Sequence, residues 1–123
     1  MAGKIVHFEI VAADAQRAKA FYGTLFGWKF REWSGPGEYH MFEGEPGGAI
    51  YPYEERDGHY VVYFDTDDID ATIGQIRELA GKAGDKTPIP EIGWFARCHD
   101  TEGNAFSIFQ ADASVPVPDA GQT

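Results

Sequence analysis

The sequence predicts an α+β fold built from two consecutive βαβββ modules, and three observations predict it. From Ile5 to Val11 the side chains alternate, after which apolar residues fall at helical spacing up to Gly27. The same switch from period two to period three-and-a-half recurs between Tyr60 and Gly81. The punctuation of the two stretches is in register, because Asp14 and Asp68, Leu25 and Leu79, and Gly27 and Gly81 are each separated by 54 positions, as in an internal duplication.

In the first module, Val6, Phe8 and Ile10 form one face of a strand, and Ile5, His7, Glu9 and Val11 the other. Asp14 has the side chain to cap a helix whose Ala18, Phe21, Tyr22 and Leu25 fall at i, i+3, i+4 and i+7, with Gly27 placed to end it. Short aromatic strands are then expected near Trp28–Trp33, Tyr39–Glu43 and Ala49–Tyr53, divided by "SGPGE" and "GEPGG" turns. After "EERDGH" the second module begins with a strand from Tyr60 to Asp65. An Asp68-capped helix carrying Ile69, Ile73, Ile76 and Leu79 follows, with Gly81 as its stop. Strands around Lys86–Ile89, Trp94–His99 and Ala105–Gln110 complete it. "GGAIYP" matches "GNAFSI" at an offset of 56. The modules span about residues 4–54 and 59–110 of one domain covering 1–110. Residues 111–123, with two prolines and no apolar period, read as a loose tail or an arm lying on a partner.

Composition narrows function before any motif does. A formal charge of -10 without a basic cluster disfavours nucleic acid and anionic membranes as partners. One cysteine, Cys98, allows no intrachain disulfide and no multi-cysteine metal site. It suits a reducing cytoplasm and reads as an inert buried thiol. No apolar run has the length of a membrane span or the form of a signal peptide. Phosphate loops, dinucleotide fingerprints and serine nucleophile elbows are absent too.

"HFEIVAADAQRAKAFYGTLFGW", "VYFDTDDIDATIGQI" and "DTEGNAFSIFQ" resemble the vicinal oxygen chelate superfamily, the group of glyoxalase I, extradiol dioxygenases and bleomycin-resistance binding proteins. The resemblance spans roughly residues 4–110. It implies two βαβββ modules whose mixed sheet curls into an open cup, with helices outside, a site inside, and pairing as a homodimer. Metal-using members of the superfamily draw ligands from the first and last strand of each module. Residue by residue, those positions fall on His7, Val61, Tyr51 and Ser107. Only His7 is an ordinary ligand, so no metal and no cofactor are expected. A rebuilt His7, Glu9 and His59 cluster is the alternative. His40 and His99 stand near strand ends and read as exposed.

If Val6, Phe8 and Ile10 meet the helices, His7 and Glu9 point into the cup, either as ligand-binding groups or as a hydrogen-bonded structural pair. Trp33, Tyr39, Phe42, Tyr51, Tyr63, Trp94 and Phe95 are the aromatic candidates for the cup lining, with Val61 and Ser107 beside them. Flat rings of this kind hold planar or extended apolar ligands, and tyrosine hydroxyls orient them. Phe8, Phe21, Phe26 and Phe106 read as core. The expected function is binding, without catalysis, of a bulky aromatic or hydrophobic small molecule, as in antibiotic sequestration. The alternative is a lyase or dioxygenase, either metal-dependent through the rebuilt cluster or metal-free, with Glu9 and His7 as acid and base.

Overall fold

A computed structural model of the chain describes residues 3–31, 33, 35, 37–52 and 59–118. Tyr53, most of the "EERDGH" turn and the last five residues of the tail lie outside the described residues. The chain divides into two compact units, residues 5–62 and residues 1–4 with 63–123.

The first unit opens with β1 (Ile5–Val11) and α1 (Ala15–Phe26), followed by β2 (Phe30–Arg31), β3 (His40–Phe42) and β4 (Gly47–Tyr51). Its strands run in the order β2-β3-β4-β1, antiparallel except for the parallel pair β4 and β1. That pairing follows from the helix, since a crossover is needed to bring a chain back parallel to its first strand. Both predicted boundaries of α1 hold. Asp14 accepts a hydrogen bond from the Arg17 N–H at 2.9 Å, and Gly27 takes the left-handed conformation at φ 72°, its N–H bonded to the Gly23 carbonyl.

The core of this unit lies between β1, β3, β4 and α1. Ile10, Ala15, Phe42 and Ile50 are buried there, with Phe8, Ala18, Tyr22, Trp28 and Phe30 packed around them. Aromatic rings fill it in a continuous series: Tyr22 stacks on Trp28 at 5.1 Å, Trp28 on Phe42 at 4.2 Å, and Phe8 meets Phe42 edge-on at 5.3 Å. Gly48 lies directly beneath, and a Cβ there would run into the Phe8 carbonyl and the Phe42 ring. The apolar stripe of α1 is only half used. Ala18 and Tyr22 pack inward while Phe21, Leu25 and Phe26 stay exposed, at 59%, 57% and 59%. Phe21 and Phe26 are therefore not core residues, because Tyr22 and Trp28 already fill the space beneath α1.

The second unit contains β5 (His59–Asp65), whose first residues belong to the first unit, then α2 (Ile69–Glu78), β6 (Lys82–Ala83), β7 (Thr87–Ile89), β8 (Gly93–His99) and β9 (Ala105–Ala111). β5 runs parallel to β9, β9 antiparallel to β8, and β8 carries β6 and β7 on its far edge. The two-residue β6 was not expected. It and β7 are two pieces of one interrupted edge strand along β8. Asp68 caps α2 as predicted, accepting from the Ala71 N–H at 3.1 Å, and Gln110 Oε1 accepts from the Ile69 N–H at 2.8 Å. The helix does not stop at Gly81. Leu79 is the C-cap and Ala80 takes the left-handed turn at φ 67°. Gly81 is needed for space instead, since a Cβ there would press on Ile76 and the His99 carbonyl.

Ile69, Ile73, Ala96, Cys98 and Ile108 form the core of this unit. β9 runs one residue past Gln110, to Ala111. Val115 is buried and its carbonyl accepts the Glu91 N–H at 2.9 Å. Among the described residues no helix is long and apolar enough to cross a membrane.

Candidate functional site

Strand alternation sorts the sheet residues of the first unit into two sets. Phe8 and Ile10 pack toward α1, so His7 and Glu9 project from the opposite face. The ladder β1-β4-β3 places Ala49 beside Glu9 and Met41 beside Ala49, and Tyr51 stands two residues on along β4. Ala49 has no exposed surface at all.

Tyr39, immediately before β3, organises this face. Its hydroxyl donates to Glu9 Oε2 at 2.7 Å and lies 2.9 Å from His7 Nε2. A phenol has one proton, and here the carboxylate receives it, so His7 must donate Nε2–H to the Tyr39 oxygen. The relay runs from imidazole to phenol to carboxylate and selects the Nε2–H tautomer of a neutral His7. His7 Nε2 and Glu9 Oε2 are also 4.0 Å apart. Burial holds the His7 pKa below its usual value, and the nearby Glu9 carboxylate opposes that shift only in part. Glu9 is 7% exposed. Rings flank the relay: Trp33 lies 5.0 Å and Tyr51 5.9 Å from Tyr39, both tilted.

Several expected lining residues lie elsewhere. Phe42 sits under α1 in the core, because its position on β3 has the parity of Ile50, and it is not a ligand-face residue. Val61, by contrast, is buried on β5 with the strand parity of Tyr63 and so keeps the face expected of it. In the second unit Tyr63, Phe95 and Ser107 do share one face, with the Tyr63 and Phe95 rings 6.3 Å apart and Ser107 in register with Tyr63. Trp94 does not join them. It alternates with Phe95, packs on the α2 side, donates its indole N–H to Asp112 at 3.2 Å, and carries Lys86 Nζ 4.5 Å above its ring. The register adds Arg97 and Phe109 to the Ser107 face, and Met41 and Ala49 to the Glu9 face. Strand parity alone identifies all four.

Other titratable groups have structural settings. Cys98 is buried, and loss of hydration pushes its pKa up to about 11, with only a small opposing effect from Arg77. His40 is not exposed as expected: its side chain is 14% accessible and Nε2 lies 2.6 Å from Glu38 Oε2.

Comparison with known proteins bears directly on this arrangement. Residues 4–45 match the family model described as bleomycin resistance protein-like N-terminal. A glyoxylase-like domain-containing protein of Didymella fabae is 33% identical, over 86% of this chain and 92% of its own length. The chain belongs to the glyoxalase-like branch of the vicinal oxygen chelate superfamily. Solved structures share its fold at low identity. A hypothetical protein of Bacillus halodurans C-125 superposes with TM-score 0.71 at 13% identity, covering 89% of this chain and 95% of that one. Streptomyces coelicolor methylmalonyl-CoA epimerase, in complex with 2-nitronate-propionyl-CoA, gives TM-score 0.68 at 16% identity over 92% and 100%. Homoprotocatechuate 2,3-dioxygenase from B. fuscum gives 0.67 at 16% identity, matching 89% of this chain to 33% of that one.

Metal-using relatives raise the question of a metal site in this glyoxalase-like chain, and its donor set does not fit one. Val61 has no donor atom, and Tyr51 and Ser107 offer only hydroxyls. The strand ladders also revise which residues correspond. Tyr51 pairs with Val11 and accepts the Ala12 N–H, as Phe109 pairs with Asp65 and accepts the Thr66 N–H. Tyr51 therefore matches Phe109, 58 positions on, and Ser107 matches Ala49. The expected offset of 56 holds on β3 and β8, where Met41 and Arg97 correspond, and the longer second hairpin adds two. Neither alignment supplies imidazole, thiolate or carboxylate on the closing strands. Among the described residues no three His, Cys, Asp or Glu side chains gather to hold an ion, so His7, Glu9 and His59 do not form the rebuilt cluster.

Proposed function

We propose that the first unit binds a bulky planar small molecule against Trp33, Tyr39 and Tyr51, and that the ligand leaves chemically unchanged. The observation that carries this reading is the double engagement of Tyr39. Its ring stands within 6 Å of two other rings, while its hydroxyl is tied to both His7 and Glu9. A ring fixed by two hydrogen bonds loses little conformational freedom when a flat ligand stacks on it, so more of the stacking energy appears as affinity. Family membership supports the reading through the bleomycin resistance-like match over residues 4–45.

Titration with planar polyaromatic compounds, anthraquinones first, tests it through quenching of tryptophan fluorescence and mass spectrometry of the recovered ligand. Saturable quenching with unchanged ligand mass is the expected result. No quenching by any member of the panel at its solubility limit overturns it.

One observation favours a second reading, a metal-free acid–base enzyme. Burial keeps His7 neutral near pH 7 beside a buried carboxylate, the condition a general base requires. A new product mass that appears with wild type and vanishes in Glu9→Gln decides for it. The binding reading also has the chain working as a homodimer. Support comes from β2, whose outer edge has no strand partner among the described residues and offers backbone groups for pairing. A monomer mass in light scattering at micromolar concentration overturns that part.

A further inference from the structure

In the first unit a cavity of about 520 Å³ opens between the end of β1, the first two turns of α1 and the start of β5. Its size is that of a small-molecule pocket, which typically falls between about 300 and 1,000 Å³. Ile10, Val11, Ala12, Ala13 and Ala18 line it with aliphatic surface, and the exposed Phe21 ring extends that surface outward.

Its polar side chains are those of Asp14, Arg17, Tyr22, His59 and Tyr60. The Asp14 carboxylate serves as the cap of α1, accepting the Arg17 N–H. Arg17 is the one permanently charged cation among the lining residues. Tyr22 and Tyr60 place their hydroxyls 2.5 Å apart. Two phenols have two protons, and the bond between them uses one, so the second O–H is left to donate outward. α1 holds no acidic residue along its length, in a chain whose acidic residues outnumber its basic ones two to one.

We propose that this cavity is a second ligand site, for an amphiphilic carboxylic acid whose apolar body lies against the alanine-rich wall and whose carboxylate meets Arg17 and the tyrosine pair. The charge pattern selects the head group. A guanidinium and a phenolic O–H both donate, and a carboxylate accepts from both, whereas the one carboxylate in the lining that could pair with an ammonium, Asp14, is already engaged as the helix cap. The walls select the tail, since nothing on Ala12, Ala13 or Ala18 bonds to a polar chain. The site does not depend on the aromatic-ligand reading above, because none of Trp33, Tyr39 and Tyr51 lines it.

Isothermal titration calorimetry with octanoate, octanol and octylamine tests the proposal on the full chain. Octanoate should bind more tightly than either analogue. Arg17→Gln should weaken octanoate about tenfold, the loss of one charge-assisted hydrogen bond, and change octanol less than twofold. Ala13→Trp, at an exposed position, should fill the cavity and remove binding of both, with the circular dichroism spectrum unchanged. Failure of octanoate to bind at millimolar concentration overturns the proposal, as does tighter binding of octylamine or an octanoate affinity unmoved by both substitutions. Octanoate should still bind with a saturating anthraquinone present. If no anthraquinone binds, the octanoate result stands by itself.

Discussion

The two units share a plan and fill it differently. Each has a first strand parallel to its last, a helix between them capped by aspartate, and an antiparallel hairpin beyond. The first unit packs its helix over stacked aromatic rings; the second packs its helix over isoleucines, an alanine and a cysteine. The exchange is visible at one pair of corresponding positions. Phe42 faces Gly48 in the first ladder, and Cys98 faces Phe106 in the second, so the large residue has moved to the other strand. Each pair keeps one phenyl ring in its core, but on opposite strands, and the residue facing it changes from glycine to cysteine.

That exchange gives the largest predicted effect. Gly48→Ala should destabilise the fold by about 3 kcal/mol, because the Phe8 backbone and the Phe42 ring already occupy the space of a Cβ. Phe42→Leu in the same chain should recover part of the ring term and none of the backbone term. Urea denaturation checks both variants, and a Gly48→Ala midpoint equal to wild type would show that β1 and β4 can separate to admit a methyl group.

The sheet faces turned away from the helices differ as much as the cores. The first unit presents a relay of His7, Tyr39 and Glu9, and the second presents Tyr63, Phe95, Ser107 and Arg97 on the corresponding side. If the first unit holds the ligand, Trp33→Ala and Tyr51→Ala should each weaken planar-ligand binding about fivefold, near 1 kcal/mol per ring. Phe95→Ala should do less, and fluorescence titration compares the three directly. Equal losses from both units would erase the functional difference between them.

Much of this was legible in the sequence because local chemistry fixes it. Asp14 and Asp68 are short acceptors placed before apolar helical periods, and Gly27 is a glycine where a left-handed turn is required. The facing of His7 and Glu9 also followed, because β1 alternates cleanly. What sequence reading missed depends on pairing. Aromatic identity at Phe42 and Trp94 suggested a ligand wall, but parity against Ile50 and Phe95 decides the side, and parity is known only once the strand ends are. The shift from 56 to 58 between the closing strands arises in a hairpin whose length no cap or stop marks. Phe21 and Leu25 fit the helical stripe equally well buried or bare, and only the bulk of Tyr22 and Trp28 settles which.

Removing the Tyr39 hydroxyl isolates the polar relay from the rings around it. Tyr39→Phe keeps the stacking surface and takes away the donor to Glu9 and the acceptor for His7. Leaving a buried carboxylate short of a donor costs about 1–2 kcal/mol, whereas Tyr63→Phe tests the corresponding face of the second unit. A loss of that size in Tyr39→Phe is expected from the relay geometry, and thermal unfolding at pH 7 measures both variants.

The smallest effect is the most specific, because it reads a proton. His7 has its pKa lowered in the folded chain, mainly by burial, so the unfolded chain binds the proton more readily. Stability contributed by neutral His7 is therefore complete above the ordinary imidazole pKa of about 6.5, and it declines as pH falls from there toward the lower folded value. Between pH 7 and 5 the wild type should lose stability that His7→Gln does not, read as the difference between the two stability curves. The matching position on β5 holds Val61, which does not titrate, so one substitution on β1 should remove the whole difference. A wild-type curve parallel to that of His7→Gln across this range would mean that His7 takes up its proton in the fold as easily as in water, and the desolvated relay would then lose its electrostatic basis.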